Sequence, residues 1–350
     1  MTVLAGVQHE ANHREHFPEI GYTRVLERET PAREQDGECY PETIDKVEAF
    51  LATYDRSRPF FLSVGIDEPH RDNLARPELN LHGKSDRFTK TRYYDPEKLD
   101  WRYTAPMPWL PDLPEIRKDT ESYREGVKIM DEYMGRVLYA LKHNGLDGET
   151  LVLVTSDHGT EFPGGKKTLR DQGTQVMLMI RGPKNTPFVG GRVIEPMVTH
   201  LDLYPTICEL LGREPDHPLE GKSLLPLAGG GVGALHEFTF AEQTYHGPLE
   251  PLRSVRTERY KYIRRHFPTG PRMRHDGPTT PLMEALGHYD RAVGHEELFD
   301  LYLDPWETCN RAADPALAEI KAGLSRQLDE WMARTRDPFA CGQFPPTPCG

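Results

Sequence analysis

Leu151 to Val154 form an unbroken apolar run that stops at Thr155-Ser156-Asp157-His158-Gly159. A short apolar run closed by turn-forming residues is a buried β-strand. What precedes and follows it restricts the fold. Between Thr120 and Asn144 the positions Tyr123, Val127, Met130, Met134, Val137, Leu138 and Leu141 make one apolar helical face, and Gly145 supplies the stop. Further upstream, Ile44, Val47, Phe50 and Leu51 give a helix over 42–54, broken at Arg56-Ser57-Arg58-Pro59 before a strand from Phe60 to Ile66. Downstream come a strand from Val176 to Ile180 and a helix from Leu201 to Leu211, ended by Gly212. Alternating strands and helices predict an α/β fold, a mostly parallel sheet sandwiched by helices.

The pattern changes after a Gly-rich stretch within Leu225 to Leu235, which suits a linker. Phe238 to Ala241, Leu252 to Arg256 and Tyr260 to Arg264 read as short strands, and Pro315 to Arg334 as a helix with Leu317, Ile320, Leu324, Leu328 and Trp331 on one face. We therefore expect an α/β domain over 1–228 and a smaller C-terminal α+β subdomain, an antiparallel sheet plus helix, over 235–350. The segment 73–114 has no steady period and reads as a long surface excursion. At the start, Val3 to Val7 is a short apolar segment that runs at once into a polar, His-containing stretch and has no basic leader region; it reads as the middle of a domain.

The chemistry gathers at strand ends, where open α/β sheets place ligands. Asp157 and His158 sit on a turn, so neighbouring side chains can face one divalent cation. Lys166 follows a Pro-Gly-Gly loop as a movable positive charge. A metal with a lysine is equipment for a tetrahedral oxyanion such as sulfate or phosphate, although Asp-His-Gly by itself is also an ordinary turn. His70, in IDEPHRD, lies just beyond another strand, where a histidine after proline is as readily a turn residue. His9, in GVQHE, has less context. Arg71 and Arg170 can contact an anion, with a solvated surface role the plainer reading, and the adjacent carboxylates Asp67 and Glu68 read as hydrated turn residues.

A formal charge of −12 argues against a nucleic-acid partner. The five cysteines lack Cys-x-x-Cys spacing and indicate neither a zinc site nor a disulfide framework, though Cys341 and Cys349 can pair under oxidising conditions. No run approaches the roughly 18 apolar residues of a membrane helix. A Gly-x-Ser-x-Gly elbow, a Walker loop, Gly-x-Gly-x-x-Gly and His-Glu-x-x-His are all absent, which removes serine hydrolase, nucleotide-binding and zincin readings.

An ordered series of segments, AGVQHE, RPFFLSVGIDEPHR, GRVLYALKHNGL, TLVLVTSDHGTEFPGGK, HLDLYPTICELLG, SVRTERYKYI and ELFDLYLDPWETCN, resembles the sulfatases of the alkaline phosphatase superfamily over nearly the whole chain. The FP-x-x-K spacing and DPWET look most like the heparan N-sulfatase branch. The resemblance implies that Asp157 and His158 are two ligands of a divalent ion, Ca²⁺. It implies that Lys166 binds sulfate oxygens, that His70 contacts the sulfate and protonates the departing atom, and that His9 helps deprotonate the nucleophile's diol. The family usually has lysine two residues before that last histidine; here stands Val7.

Family members also carry an Asp-Asp metal pair on the first strand and a C/S-x-P-S/A-R motif whose Cys or Ser becomes formylglycine. Neither occurs here; Cys39-Tyr40-Pro41-Glu42-Thr43 lacks the arginine and follows His9 instead of preceding it. The expectation is a sulfatase lacking its N-terminal portion, whose full form hydrolyses a sulfate ester or sulfamate of a small molecule or glycan while these residues alone are inactive. A non-catalytic product that binds sulfated ligands or a partner is the alternative, with phosphodiester or phosphonate hydrolysis on the same framework a third. The compartment is cytoplasmic by default, and periplasmic or secreted if the missing portion carries a signal. The segments 73–114 and 266–295 are expected to wall the pocket.

Overall fold

The computed structural model describes residues 1–8, 16, 18–26, 39–71, 88, 100–246, 248–267, 274–275, 277–290 and 293–340. The chain divides into two compact units, one of Met1–Thr150 with Asp276–Met283, the other of Leu151–His275 with Glu284–Gly350.

In the first unit, β1 (Thr2–Gly6) is the middle strand of a parallel sheet of order β2-β1-β3, with β2 at Arg24–Val25 and β3 at Phe61–Gly65. Val3, Leu4 and Ala5 are fully buried, which explains why this segment is apolar without alternating: parallel strands are covered on both faces. β1 and β3 run in register from Thr2↔Phe61 to Gly6↔Gly65. At their ends the backbones approach so closely that a Cβ on Gly65 would stand 1.9 Å from the Val7 carbonyl oxygen, so only glycine fits there. The helix α1 (Cys39–Thr53) and the long α2 (Pro114–His143) pack on this sheet through Ile44 and Tyr133, with Val7, Val64, Ile66, Ile129 and Val137 around them. α2 begins earlier than its apolar period suggests because Pro114 occupies its first turn, where a missing N–H costs nothing.

In the second unit, β4 (Val152–Thr155) pairs with β5 (Leu178–Arg181) antiparallel. Strand and helix alternation predicts a parallel neighbour. A parallel return, however, needs a crossover of a dozen or more residues, usually a helix. Here the connection holds only the single turn α3 (Asp171–Thr174) and doubles back on itself, since the Gly159 N–H donates to the Gly173 carbonyl at 2.9 Å. The chain therefore re-enters beside the strand it left. α4 (Leu203–Leu210) follows, preceded by a 3-10 turn that Thr199 and Asp202 cap reciprocally. The Gly-rich segment opens with α5 (Leu225–Ala228), and Leu224, Ala228 and Leu235 share a core with Leu151, Leu178 and Ile180.

Four antiparallel strands close the unit, in the order β6 (Thr239–Tyr245), β7 (Leu249–Arg256), β8 (Tyr260–Arg265) and β9 (Glu296–Asp300). α6 (Thr279–Ala285), most of it counted with the first unit, precedes β9 in the chain, and α7 (Ala318–Arg334) lays Leu324, Leu328 and Met332 over Val255, Tyr262 and Leu298. No described helix is long and apolar enough to cross a membrane.

Candidate active site

β4 ends where the site begins. Asp157 and His158 leave the strand on a bend, and each is fixed by its own backbone surroundings. Asp157 Oδ1 accepts the His158 N–H at 2.9 Å, and His158 Nδ1 lies 2.8 Å from the Gly159 carbonyl oxygen. A carbonyl can only accept, so Nδ1 carries a ring proton, and in the neutral imidazole Nε2 is the nitrogen with the lone pair. That Nε2 stands 3.4 Å from Asp157 Oδ2. A carboxylate oxygen and an imidazole nitrogen thus face the same space, with the second ring nitrogen bonded to a carbonyl as metal-bound histidines commonly are. These donors fit a divalent cation as two of its ligands. No group of three or more His, Cys, Asp or Glu side chains able to hold a metal occurs among the described residues.

The loop that follows is held tightly. Gly159 packs on the α3 turn so closely that a Cβ there would lie 2.0 Å from the Gln172 carbonyl oxygen. Inside the loop the Lys166 N–H donates to the Thr160 carbonyl at 2.7 Å, and Lys167 adopts a positive φ of 72°. A lysine in the left-handed region is an energetic cost tolerated where the surrounding structure dictates it. Both ammonium groups converge on Glu161: Lys166 Nζ is 3.4 Å from Oε2 and Lys167 Nζ 3.4 Å from Oε1, with all three side chains largely buried. Two ammonium groups thus share one carboxylate beside the Asp-His turn.

Two further histidines adjoin this loop. His275 Nε2 contacts the Lys166 carbonyl oxygen at 2.6 Å, and burial pushes the His275 pKa down to about 4. His246 is also shifted downward, first by burial and then by Lys167 and Lys166, with His158 contributing in the same sense. The lysines and His158 therefore share His246 as a neighbour. Glu161, Lys167, His246 and His275 escape sequence reasoning because each follows or stands far from the Asp-His turn; the adjacent Lys166-Lys167 pair was the one available signal.

His70 lies in the first unit, beyond β3, with its backbone N–H on the Asp67 carbonyl at 2.7 Å and its Nδ1 2.7 Å from the Arg71 carbonyl oxygen. Its Nδ1 is committed, and Nε2 is the nitrogen left to exchange a proton. His9 lies outside the described residues, as do Cys341 and Cys349 and most of 73–99.

Three surface readings are corrected. Arg71 is 1% exposed and binds Asp119 through both terminal nitrogens at 2.8 and 2.6 Å while its guanidinium covers the Phe88 ring. Arg170 pairs with Glu297 at 2.6 Å, donates to the Glu307 carbonyl at 3.1 Å and lies over Phe299. Glu68 is buried as well. Polar residues in turns read as hydrated from sequence because their partners, such as Asp119 and Glu297, are distant along the chain.

The sulfatase family model matches residues 7–213. The chain belongs to the sulfatase family. The human N-sulphoglucosamine sulphohydrolase is 31% identical over 331 residues, covering 84% of this chain and 64% of the relative. An ulvan-active sulfatase of Formosa agariphila is 24% identical over 80% of this chain and 52% of its own length. The chain thus spans between about half and two thirds of these curated relatives. Among solved structures, a 2-O GAG sulfatase superposes with a TM-score of 0.64 at 19% identity, covering 97% of this chain and 72% of that one. The fold is the alkaline phosphatase-like α/β fold of this sulfatase family.

Proposed function

We propose that these residues serve the hydrolysis of a sulfate ester or sulfamate. Asp157 and His158 supply two ligands to a divalent cation, Lys166 neutralises sulfate oxygens, and His70 protonates the departing oxygen or nitrogen. The observation that carries this reading is the approach of Asp157 Oδ2 and His158 Nε2 to 3.4 Å, ahead of a loop that presents Lys166. When bound, the cation, which the family resemblance makes Ca²⁺, polarises the sulfuryl group and offsets its charge.

Lys166 reaches its task from a buried position beside Glu161, so its ammonium arrives partly desolvated and its attraction for an oxyanion is strengthened. His70, oriented by the Arg71 carbonyl, transfers its proton from Nε2. His9 takes the role of returning the nucleophile. The family's formylglycine has no candidate among these 350 residues, so the reading requires a nucleophile from outside them. The similarity to a sulphoglucosamine sulphohydrolase favours a sulfated sugar as substrate.

The test is release of inorganic sulfate, followed by ion chromatography, from an aryl sulfate and from N-sulfated glucosamine by the protein as its gene encodes it. Lys166→Ala is expected to lower kcat/KM on the order of 100- to 1000-fold. Turnover of a phosphonate ester in preference to both sulfates would move the reading to phosphorus chemistry. Tight binding of sulfated sugar without turnover would move it to a binding protein.

A further inference from the structure

The Asp157-His158 turn is anchored by a buried charge cluster that no catalytic role uses. β7 and β8 bring Arg256 and Lys261 opposite each other in register. Like charges directly across a strand pair repel, and Lys261 is only 1% exposed, so solvent does little to relieve them. Two carboxylates answer this demand. Asp171 contacts Lys261 and receives Arg256 at 3.3 Å, and Glu307 Oε1 lies 2.9 Å from Lys261 Nζ.

Neither carboxylate comes from the sheet. Asp171 opens α3, the turn against which the Asp157-His158 segment rests, and Glu307 belongs to the DPWET segment beyond β9. Glu307 is fully buried and grips α3 at its first residue: Oε2 accepts the Asp171 N–H at 2.7 Å, while its carbonyl receives Arg170 at 3.1 Å. Its positive φ of 52° shows a backbone bent to deliver that grip. From α3 the connection continues through backbone alone. The Gly173 N–H donates to the Arg170 carbonyl at 2.9 Å, the Gly173 carbonyl accepts from Gly159 at 2.9 Å, and the Gly159 carbonyl holds His158 Nδ1 at 2.8 Å.

We propose that Glu307, with Asp171, is a positioning residue for the metal-ligand pair: it locks α3, and through Gly173 and Gly159 it fixes where His158 Nε2 points. This rests on the reading that Asp157 and His158 bind a divalent cation. An imidazole whose orientation is set by one carbonyl is only as well placed as that carbonyl. Gly159 packs against α3 so closely that a Cβ there would stand 2.0 Å from the Gln172 carbonyl oxygen, so a displaced α3 moves the histidine with it.

The test is calorimetric titration of Ca²⁺ into the chelator-stripped protein as its gene encodes it, with melting followed in parallel. Glu307→Gln and Asp171→Asn are each expected to weaken Ca²⁺ binding by about 10- to 100-fold, the usual range for groups behind a metal ligand. Glu296→Gln is the control. It removes a carboxylate of the same sheet, bonded to Tyr262 at 2.6 Å and Lys321 at 3.0 Å rather than to α3, and should leave affinity unchanged. Wild-type affinity in Glu307→Gln overturns the proposal, and so does a loss in all three variants that merely tracks their melting temperatures. If Glu307→Gln does not fold, Asp171→Asn decides by the same criteria. His158→Ala separates the two levels. If it leaves Ca²⁺ binding intact, the site reading itself fails; if it abolishes binding while Glu307→Gln does not, only the positioning role falls.

Discussion

Asp119→Asn is the substitution whose consequence can be worked most fully from geometry. Arg71 and Asp119 form a bidentate pair at 2.8 and 2.6 Å, with side chains 1% and 0% exposed. The amide is nearly isosteric but carries no charge, so a buried guanidinium keeps its desolvation cost and loses the charge of this bidentate carboxylate. Removing one partner of such a pair costs about 3–5 kcal/mol, a large part of the roughly 5–15 kcal/mol that stabilises a typical domain. With a urea m-value of about 1–3 kcal/mol/M, the midpoint should fall by about 2 M. Urea unfolding followed by tryptophan fluorescence measures this. Replacing both partners, Arg71→Met with Asp119→Leu, should recover much of the loss, because it removes the desolvation cost of both charges together. A midpoint shift below about 0.3 M in Asp119→Asn, or a double variant as damaged as the single one, would refute the argument. The functional consequence is local: the Arg71 carbonyl orients His70, so loosening Arg71 loosens the proposed acid.

Three other expectations follow from the same geometry. His275, buried with its pKa near 4, binds fewer protons folded than unfolded between its ordinary value of 6.5 and 4. Its contribution to stability is complete above about pH 6.5 and is lost progressively as pH falls toward 4, on the order of 3 kcal/mol in all; the fall in urea midpoint between pH 7 and 4.5 should shrink in His275→Gln. Gly159→Ala should weaken Ca²⁺ binding as severely as removing His158, since its methyl group would stand 2.0 Å from the Gln172 carbonyl oxygen; isothermal titration reads it, and unchanged affinity would deny the close packing. Lys166→Arg should fail to restore kcat/KM in steady-state assays, because the longer planar head cannot replace an ammonium packed beside Glu161 and Lys167.

Much of the framework is legible in the sequence because periodic apolar faces report burial directly. α1, α7 and the strands at 61–65 and 152–155 stand where their patterns place them, although both strands are only half-buried, and α2 starts ahead of its apolar period. β9, Glu296–Asp300, is harder to read, since its Glu-Glu start looks like solvent-facing chain; those carboxylates are consumed by Tyr262, Lys321, Arg170 and Arg265 from other elements. Strand direction is equally hidden. Nothing in Leu178–Arg181 alone says that it runs against β4, which depends on a backbone bond between Gly159 and Gly173. At the site, Asp157, His158 and Lys166 are readable as chemistry-bearing residues at a strand end. Their supports Glu161, Lys261 and Glu307 are not, because a buried ion pair has no sequence period. The polar residues read as hydrated, Arg71, Arg170 and Glu68, fail for that same reason.

The most direct measurement is sulfate release from N-sulfated glucosamine and an aryl sulfate by the protein as its gene encodes it, beside its His158→Ala and Lys166→Ala variants of matched fold. Turnover in the parent, with a loss of at least about 100-fold in both variants, is the expected result. Full activity in either variant, or hydrolysis of neither substrate by a folded, Ca²⁺-loaded parent, would contradict the assignment of this loop to sulfate chemistry.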